Sequence, residues 1–154
     1  YQGRIEDSVA LSVVKRLYEK GIRRLYLAAS TGMEDPIHVS RVFKAVTDRW
    51  PDIELGFHVH ERIGMASANM FAALNSGATS VEGSICGIGG GIAMPNGMGD
   101  IGNLPTEDIV NMLETSRIET GIEINSIVQA AKKIEQILDL KCRSFVGRTN
   151  SIGN

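Results

Sequence analysis

The chain has no basic block, no apolar run long enough to cross a bilayer, and only two cysteines. Each shortage removes a class of function. A net charge of −2 without a cationic cluster argues against nucleic acid and anionic membrane surfaces as partners, because both are held by concentrated Lys and Arg. A membrane-spanning helix needs about 20 consecutive apolar residues, so no membrane role is expected. The opening YQGRIEDSVA has no signal-peptide layout. Cys86 and Cys142 lie far apart and show no metal-ligand spacing, and the expected setting is reduced and cytoplasmic. What remains is ordinary for a globular protein: 154 residues, 43% hydrophobic and 22% charged, enough for one domain with a full core. Glycine is the exception, since more than half of the seventeen fall between Gly77 and Gly102.

Periodicity organises the rest. Ala10, Val13, Val14, Leu17 and Tyr18 recur at helical spacing, with Asp7 or Ser8 as the cap and Gly21 as the stop. LYLAAS (Leu25 to Ser30) reads as a buried strand. Asp35 and Pro36 then open a second helix with a stripe at Val39, Val42, Phe43, Val46 and Trp50, which Pro51 ends. A second strand, IELGFHVH, runs from Ile53 to His60. A third helix carries Ala66, Met70, Ala73 and Leu74 and stops at Gly77. SVEGSICG (Ser80 to Gly87) reads as a third strand, followed by a long glycine-rich loop from Ile88 to Asn103. LPTEDIVNMLE reads as a fourth helix. Ile124, Ile127, Val128, Ala131, Ile134 and Leu138 mark a last one, and the tail after it has no clear period. Alternating helices and strands predict an α/β fold, with parallel strands joined by right-handed crossover helices. Three such strands leave two open edges, so the chain is expected to be part of something larger, such as a barrel segment.

His58 and His60, one residue apart on a predicted strand, leave the same face. They stand at its C-terminal end, where parallel α/β folds bind ligands. Two converging imidazoles suit a divalent metal; the alternative is one hydrogen-bonded core ring and one loop residue. GIGGG can bring backbone close to an anion or be a plain surface loop, and it fits neither G-x-x-x-x-G-K-S/T nor G-x-G-x-x-G. Asn103 is either a helix cap or an oxygen ligand for a hard cation. Glu107 reads as a first-turn complement to the helix dipole in preference to an anchor. His38 is expected to face solvent. Arg62 is an exposed charge by default and otherwise a contact for an anionic substrate. Cys86 is expected to be a buried thiol, with no acid–base partner near it in sequence.

The run HVHERIGMASANMFAALNSGATSVEGSICGIGGG, followed by GNLPTEDIVNMLE, resembles the metal-dependent lyase and Claisen-condensing synthase superfamily built on a TIM barrel. That superfamily includes 3-hydroxy-3-methylglutaryl-CoA lyase, 2-isopropylmalate synthase and homocitrate synthase. H-x-H, G-x-A-x-A-N, A-A-L-x-x-G-A, G-I-G-G and G-N before T-E-D carry the resemblance, in order, over most of the chain. It implies the last three strands of a (β/α)8 barrel plus C-terminal helices, with residues 1–154 a partial barrel domain lacking the N-terminal strands. It implies His58, His60 and Asn103 as ligands of Mg2+ or Mn2+, and His58 and Ser84 in the catalytic site, with Ser84 touching substrate. It also implies an acyl-CoA substrate, and a homo-oligomer or a separate N-terminal half as partner.

Three departures accompany the resemblance. The family's first-strand Arg-Asp pair is absent from this chain. Gly91 stands where the lyase branch has a catalytic cysteine. Ala29 and Ser30 replace the first two residues of a D-T-x-G motif. The leading expectation is a carbon–carbon lyase that cleaves a 3-hydroxyacyl-CoA. The alternatives are an acyl-CoA-condensing synthase and an inactive metal-binding fragment that needs a partner half.

Overall fold

The computed structural model describes residues 5–90 and 102–148, in two compact units. Gly91 and most of the glycine-rich loop lie outside the described residues.

The first unit, Tyr1–Glu82 with Gly91–Ile101, contains α1 (Asp7–Glu19), β1 (Arg24–Ala29), α2 (Pro36–Arg49), β2 (Glu54–Glu61), α3 (Ala66–Leu74) and β3 (Ser80–Glu82). The three strands are parallel, in the order β1-β2-β3, so the expected α/β architecture is present. β2 is central, with Tyr26 opposite Gly56, Ala28 opposite His58, and His58 opposite Glu82. Alternation along β2 divides its faces. Leu55, Phe57 and Val59 are buried, and Phe57 meets Phe43 of α2 edge-on at 5.2 Å. Val39, Val46, Met70 and Ala73 complete this core. On the other face Tyr26 and Ala28 are exposed and His58 is half-buried.

The local signals explain the helix ends. The Asp35 carboxylate accepts from the His38 amide at 2.9 Å, Pro36 opens α2, and Trp50 follows its last turn. Gly21 and Gly77 have φ of +87° and +96°, a left-handed conformation that glycine adopts without steric cost. The expected side-chain cap on α1 is not made. Glu6 precedes the helix without capping it, and the Asp7 carboxylate turns to Arg41 (2.7 Å) and His38 (2.9 Å). The Arg41 guanidinium holds Asp7 below its ordinary value, with His38 adding to the effect against some desolvation. His38 is therefore not the solvent-facing residue expected, because α1 brings Asp7 to its ring.

The second unit, Gly83–Gly90 with Gly102–Asn154, contains a 3-10 turn (Ile85–Gly87), β4 (Gly102–Asn103), α4 (Thr106–Thr115) and α5 (Ile124–Leu138). The third predicted strand, Ser80 to Gly87, is cut short at Glu82. At Gly83 the backbone runs so close to Leu104 that a Cβ would lie 2.2 Å from its carbonyl oxygen, and Cys86 turns at φ +58°. Of the predicted α5 stripe, Val128 and Ala131 are buried while Leu138 is 52% exposed. The tail after α5 has no regular period but is well held. The buried Asp108 carboxylate accepts from Ser144 Oγ (2.7 Å) and from the Phe145 and Val146 amides (3.0 Å each). Among the described residues, no helix is long and apolar enough to cross a membrane.

Candidate active site

β2 delivers His58 and His60 to one face, with their rings perpendicular and 4.8 Å apart between centroids. Each ring has its Nδ1 occupied. His60 Nδ1 lies 3.1 Å from the Ala29 carbonyl oxygen at the end of β1, and His58 Nδ1 lies 3.1 Å from Oε2 of Glu82 on β3. A carbonyl or carboxylate oxygen accepts only, so the proton of each neutral imidazole sits on Nδ1 and the lone pair on Nε2. This is the arrangement found behind metal-ligating histidines, where the second nitrogen fixes tautomer and ring plane.

The turn that follows keeps these rings at the strand end. Glu61 accepts from the Gly64 amide at 2.6 Å and the Ala66 amide at 3.3 Å, closing E-R-I-G onto the start of α3. Gly32 (φ +61°) packs its backbone against β2, where a Cβ would fall 2.9 Å from the His60 carbonyl oxygen. Arg62 is half-buried, not freely exposed, and its guanidinium donates to Met33 Sδ at 3.1 Å.

In the second unit, Asn103 donates through Nδ2 to the Ile88 carbonyl at 2.8 Å. It does not cap α4, whose N-cap position is Pro105. Its buried Oδ1 has no partner among the described residues, and an orphaned buried acceptor calls for an explanation such as an ion. Ser84 Oγ donates a short hydrogen bond to the same Ile88 carbonyl. Its hydroxyl proton is thereby committed, and only acceptor capacity is left for another group.

Glu107 departs from its expected part as an exposed dipole complement. It is fully buried and accepts the Cys86 amide on both oxygens, at 3.0 and 3.1 Å. Burial pushes its carboxyl above the ordinary value. The reason is positional: the first turn of α4 faces the 3-10 turn, so a residue near the helix N-terminus lies inside the unit. Cys86 is buried as expected, but on the 3-10 turn and not on a strand. The partners of the two histidines were not apparent from local sequence. Glu82 is 24 residues from His58, and only strand register connects them.

The HMGL-like family model matches residues 1–134. Hydroxymethylglutaryl-CoA lyase YngG of Bacillus subtilis is 39% identical over 132 residues, covering 86% of this chain and 42% of that protein. The crystal structure of the B. subtilis HMG-CoA lyase superposes with a TM-score of 0.87 at 34% identity, over 96% of this chain and 49% of that one. An HMG-CoA lyase from Acinetobacter baumannii, solved with coenzyme A and 3-methylmalate, gives a TM-score of 0.88 at 29% identity, over 100% and 50% of the two chains. The chain thus spans about half the length of the relatives it matches, and its parallel β/α fold is that of part of their TIM barrel. By family match, relatives and fold alike, this chain belongs to the HMGL-like family.

Proposed function

We propose that this chain forms part of a divalent-metal-dependent carbon–carbon lyase that cleaves a 3-hydroxyacyl-CoA of the hydroxymethylglutaryl-CoA type. Residues 1–154 then act as a partial TIM-barrel domain. The observation that carries this reading is the pair of imidazoles at the end of β2, each with Nδ1 engaged and no partner at Nε2 among the described residues. His58 and His60 are the nitrogen ligands. For Asn103 the support is internal to its own unit: a buried, unpartnered amide oxygen of the kind Mg2+ or Mn2+ takes. Imidazole nitrogens take borderline divalent ions and an amide oxygen takes harder ones, and the bound ion would supply charge stabilisation to the acyl oxygens as the carbon–carbon bond breaks. The catalytic part of His58 would be to hold that ion, with its ring fixed by Glu82. Ser84, its proton committed to Ile88, meets substrate only as an acceptor. The relatives named as HMG-CoA lyases support the acyl-CoA class.

Glu82 is the positioning residue behind His58. Loss of a carboxylate partner behind a ligating histidine lowers metal affinity by about 10- to 100-fold. Glu82 is half exposed, so the expected drop for Glu82→Gln is about 10-fold, read by calorimetric titration with Mn2+. An unchanged affinity would remove Glu82 from this role.

Gly91, where the lyase branch has cysteine, favours a second reading: condensation of an acyl-CoA with a 2-oxo acid. The two separate in one assay. Cleavage of hydroxymethylglutaryl-CoA to acetyl-CoA and acetoacetate, with no 2-oxo acid present, sinks the synthase. Because the family's Arg-Asp pair is not among these residues, the 154-residue chain alone is expected to bind metal without turnover. The proposed partner is a second copy of the chain or the N-terminal half that carries that pair, and robust cleavage by residues 1–154 on their own would overturn this expectation.

A further inference from the structure

Cys86, Glu107 and Cys142 lie far apart in sequence yet meet inside the second unit. One ligand atom from each falls within 4.8 Å of the others. All three residues are buried, at 1%, 0% and 1% exposure. Ile85, Ile88, Ile134 and Leu140 pack against the cluster that Cys86 and Cys142 form with Ala131. We propose that Cys86, Glu107 and Cys142 form a second metal site, built for a borderline-soft divalent cation such as zinc and distinct from the metal proposed at His58 and His60.

Four observations converge on it. The donor set is two sulfurs and one carboxylate, and thiolate ligands select zinc-like ions over Mg2+ or Mn2+. The Cys142 sulfur and Glu107 Oε1 stand 3.5 Å apart, the spacing of a tetrahedral centre with bonds of about 2.0–2.3 Å, and all three atoms fall within 4.8 Å. Supporting hydrogen bonds are already in place. Glu107 is oriented by the Cys86 amide, and the Cys142 amide donates to Glu135 Oε1 at 2.6 Å. Finally, Cys86 holds φ +58°. Non-glycine residues adopt that conformation at a cost, and it persists where the surroundings over-determine it. Here it is fixed by Glu107 on the Cys86 amide and by Arg143, whose amide donates to the Cys86 carbonyl at 3.0 Å.

Without an ion the cluster is closed by its own protons. The Cys86 thiol donates to the Ala131 carbonyl at 3.3 Å, and the Cys142 thiol to Glu107 Oε1 at 3.5 Å. Burial pushes both thiols up, Cys142 to about 12, and raises Glu107 as well. An incoming M2+ displaces the two thiol protons to solvent, and that of Glu107 where it is held. It forms two metal–sulfur bonds and one metal–oxygen bond, with no change of oxidation state.

The test is titration of the reduced full chain with Co2+ and Zn2+. One equivalent of Co2+ should give the near-ultraviolet sulfur-to-cobalt charge-transfer absorbance of thiolate ligation, and Zn2+ should abolish it by displacement. Cys86→Ser and Cys142→Ser should each lower affinity by at least about 100-fold, since even outer partners of a metal site are worth about 10- to 100-fold. His58→Ala should leave the band intact, which separates this site from the proposed catalytic one. Should the serine variants fail to fold, zinc-edge X-ray absorption of the wild-type protein decides. Two sulfur neighbours support the site, and nitrogen and oxygen neighbours alone overturn it. Absence of a charge-transfer band overturns it equally, as does finding Cys86 and Cys142 joined as a disulfide in the protein as isolated.

Discussion

Replacing His60 with alanine is expected to lower the affinity of the chain for Mn2+ by at least about 100-fold, because the loss of an outer partner alone costs about 10- to 100-fold. His58→Ala should do the same. The reasoning is atomic. Ala29 and Glu82 take the Nδ1 protons, so both rings present Nε2, and a methyl group offers no donor. Stability should fall only modestly. Each half-buried ring loses one Nδ1 hydrogen bond, worth about 0.5–1.5 kcal/mol net. Calorimetric titration with Mn2+, beside urea unfolding of the same variants, reads both quantities. Unchanged Mn2+ affinity in both variants would end the metal reading of the pair.

The converse holds one residue away. Phe57→Ala is expected to destabilise the first unit by about 3–5 kcal/mol, the usual range for emptying a buried phenylalanine site. Phe57 is 2% exposed and packs edge-on against Phe43, itself 2% exposed. Alanine leaves a cavity between β2 and α2, and forfeits the aromatic pair, worth about 0.5–1.5 kcal/mol beyond its area. Such a loss is a large share of a typical domain's stability, so the urea midpoint should fall steeply. Phe57→Leu, which refills most of the volume, should recover more than half of it and bind Mn2+ normally. A loss of stability below about 1 kcal/mol for the alanine variant would mean that β2 is not packed as described.

These neighbours show why the fold and the histidine pair were legible in sequence. A strand has period two, so Leu55, Phe57 and Val59 sort to one face and His58 and His60 to the other without knowledge of any distant residue. Helix stripes and turn residues work by the same local rules. What was not legible depends on residues far apart in the chain. Asp7 reaches His38 across 31 positions, Glu107 reaches Cys86 across 21, and Cys142 reaches Glu107 across 35. Glu107 in particular satisfied a sound local rule, acid at a helix N-terminus, while its true partner was an amide on another segment. The third strand failed for a related reason. Its apolar run continues through Ile85 and Cys86, but the close pass of Gly83 by Leu104 bends the backbone away.

The Tyr26 ring lies over Gly56 so closely that a Cβ there would be 2.4 Å from it, and Ser80 Oγ donates to the phenol oxygen at 3.2 Å. One side chain therefore spans all three strands on the face that carries the imidazoles, one alternation below His58. It acts as a crossbar. The distance from Ala29 to Glu82, the two anchors of the ring pair, is kept by a phenol as well as by backbone pairing. Residue 56 has to stay bare for that bar to lie flat, and a methyl group added there would reach the histidines as a change in strand spacing.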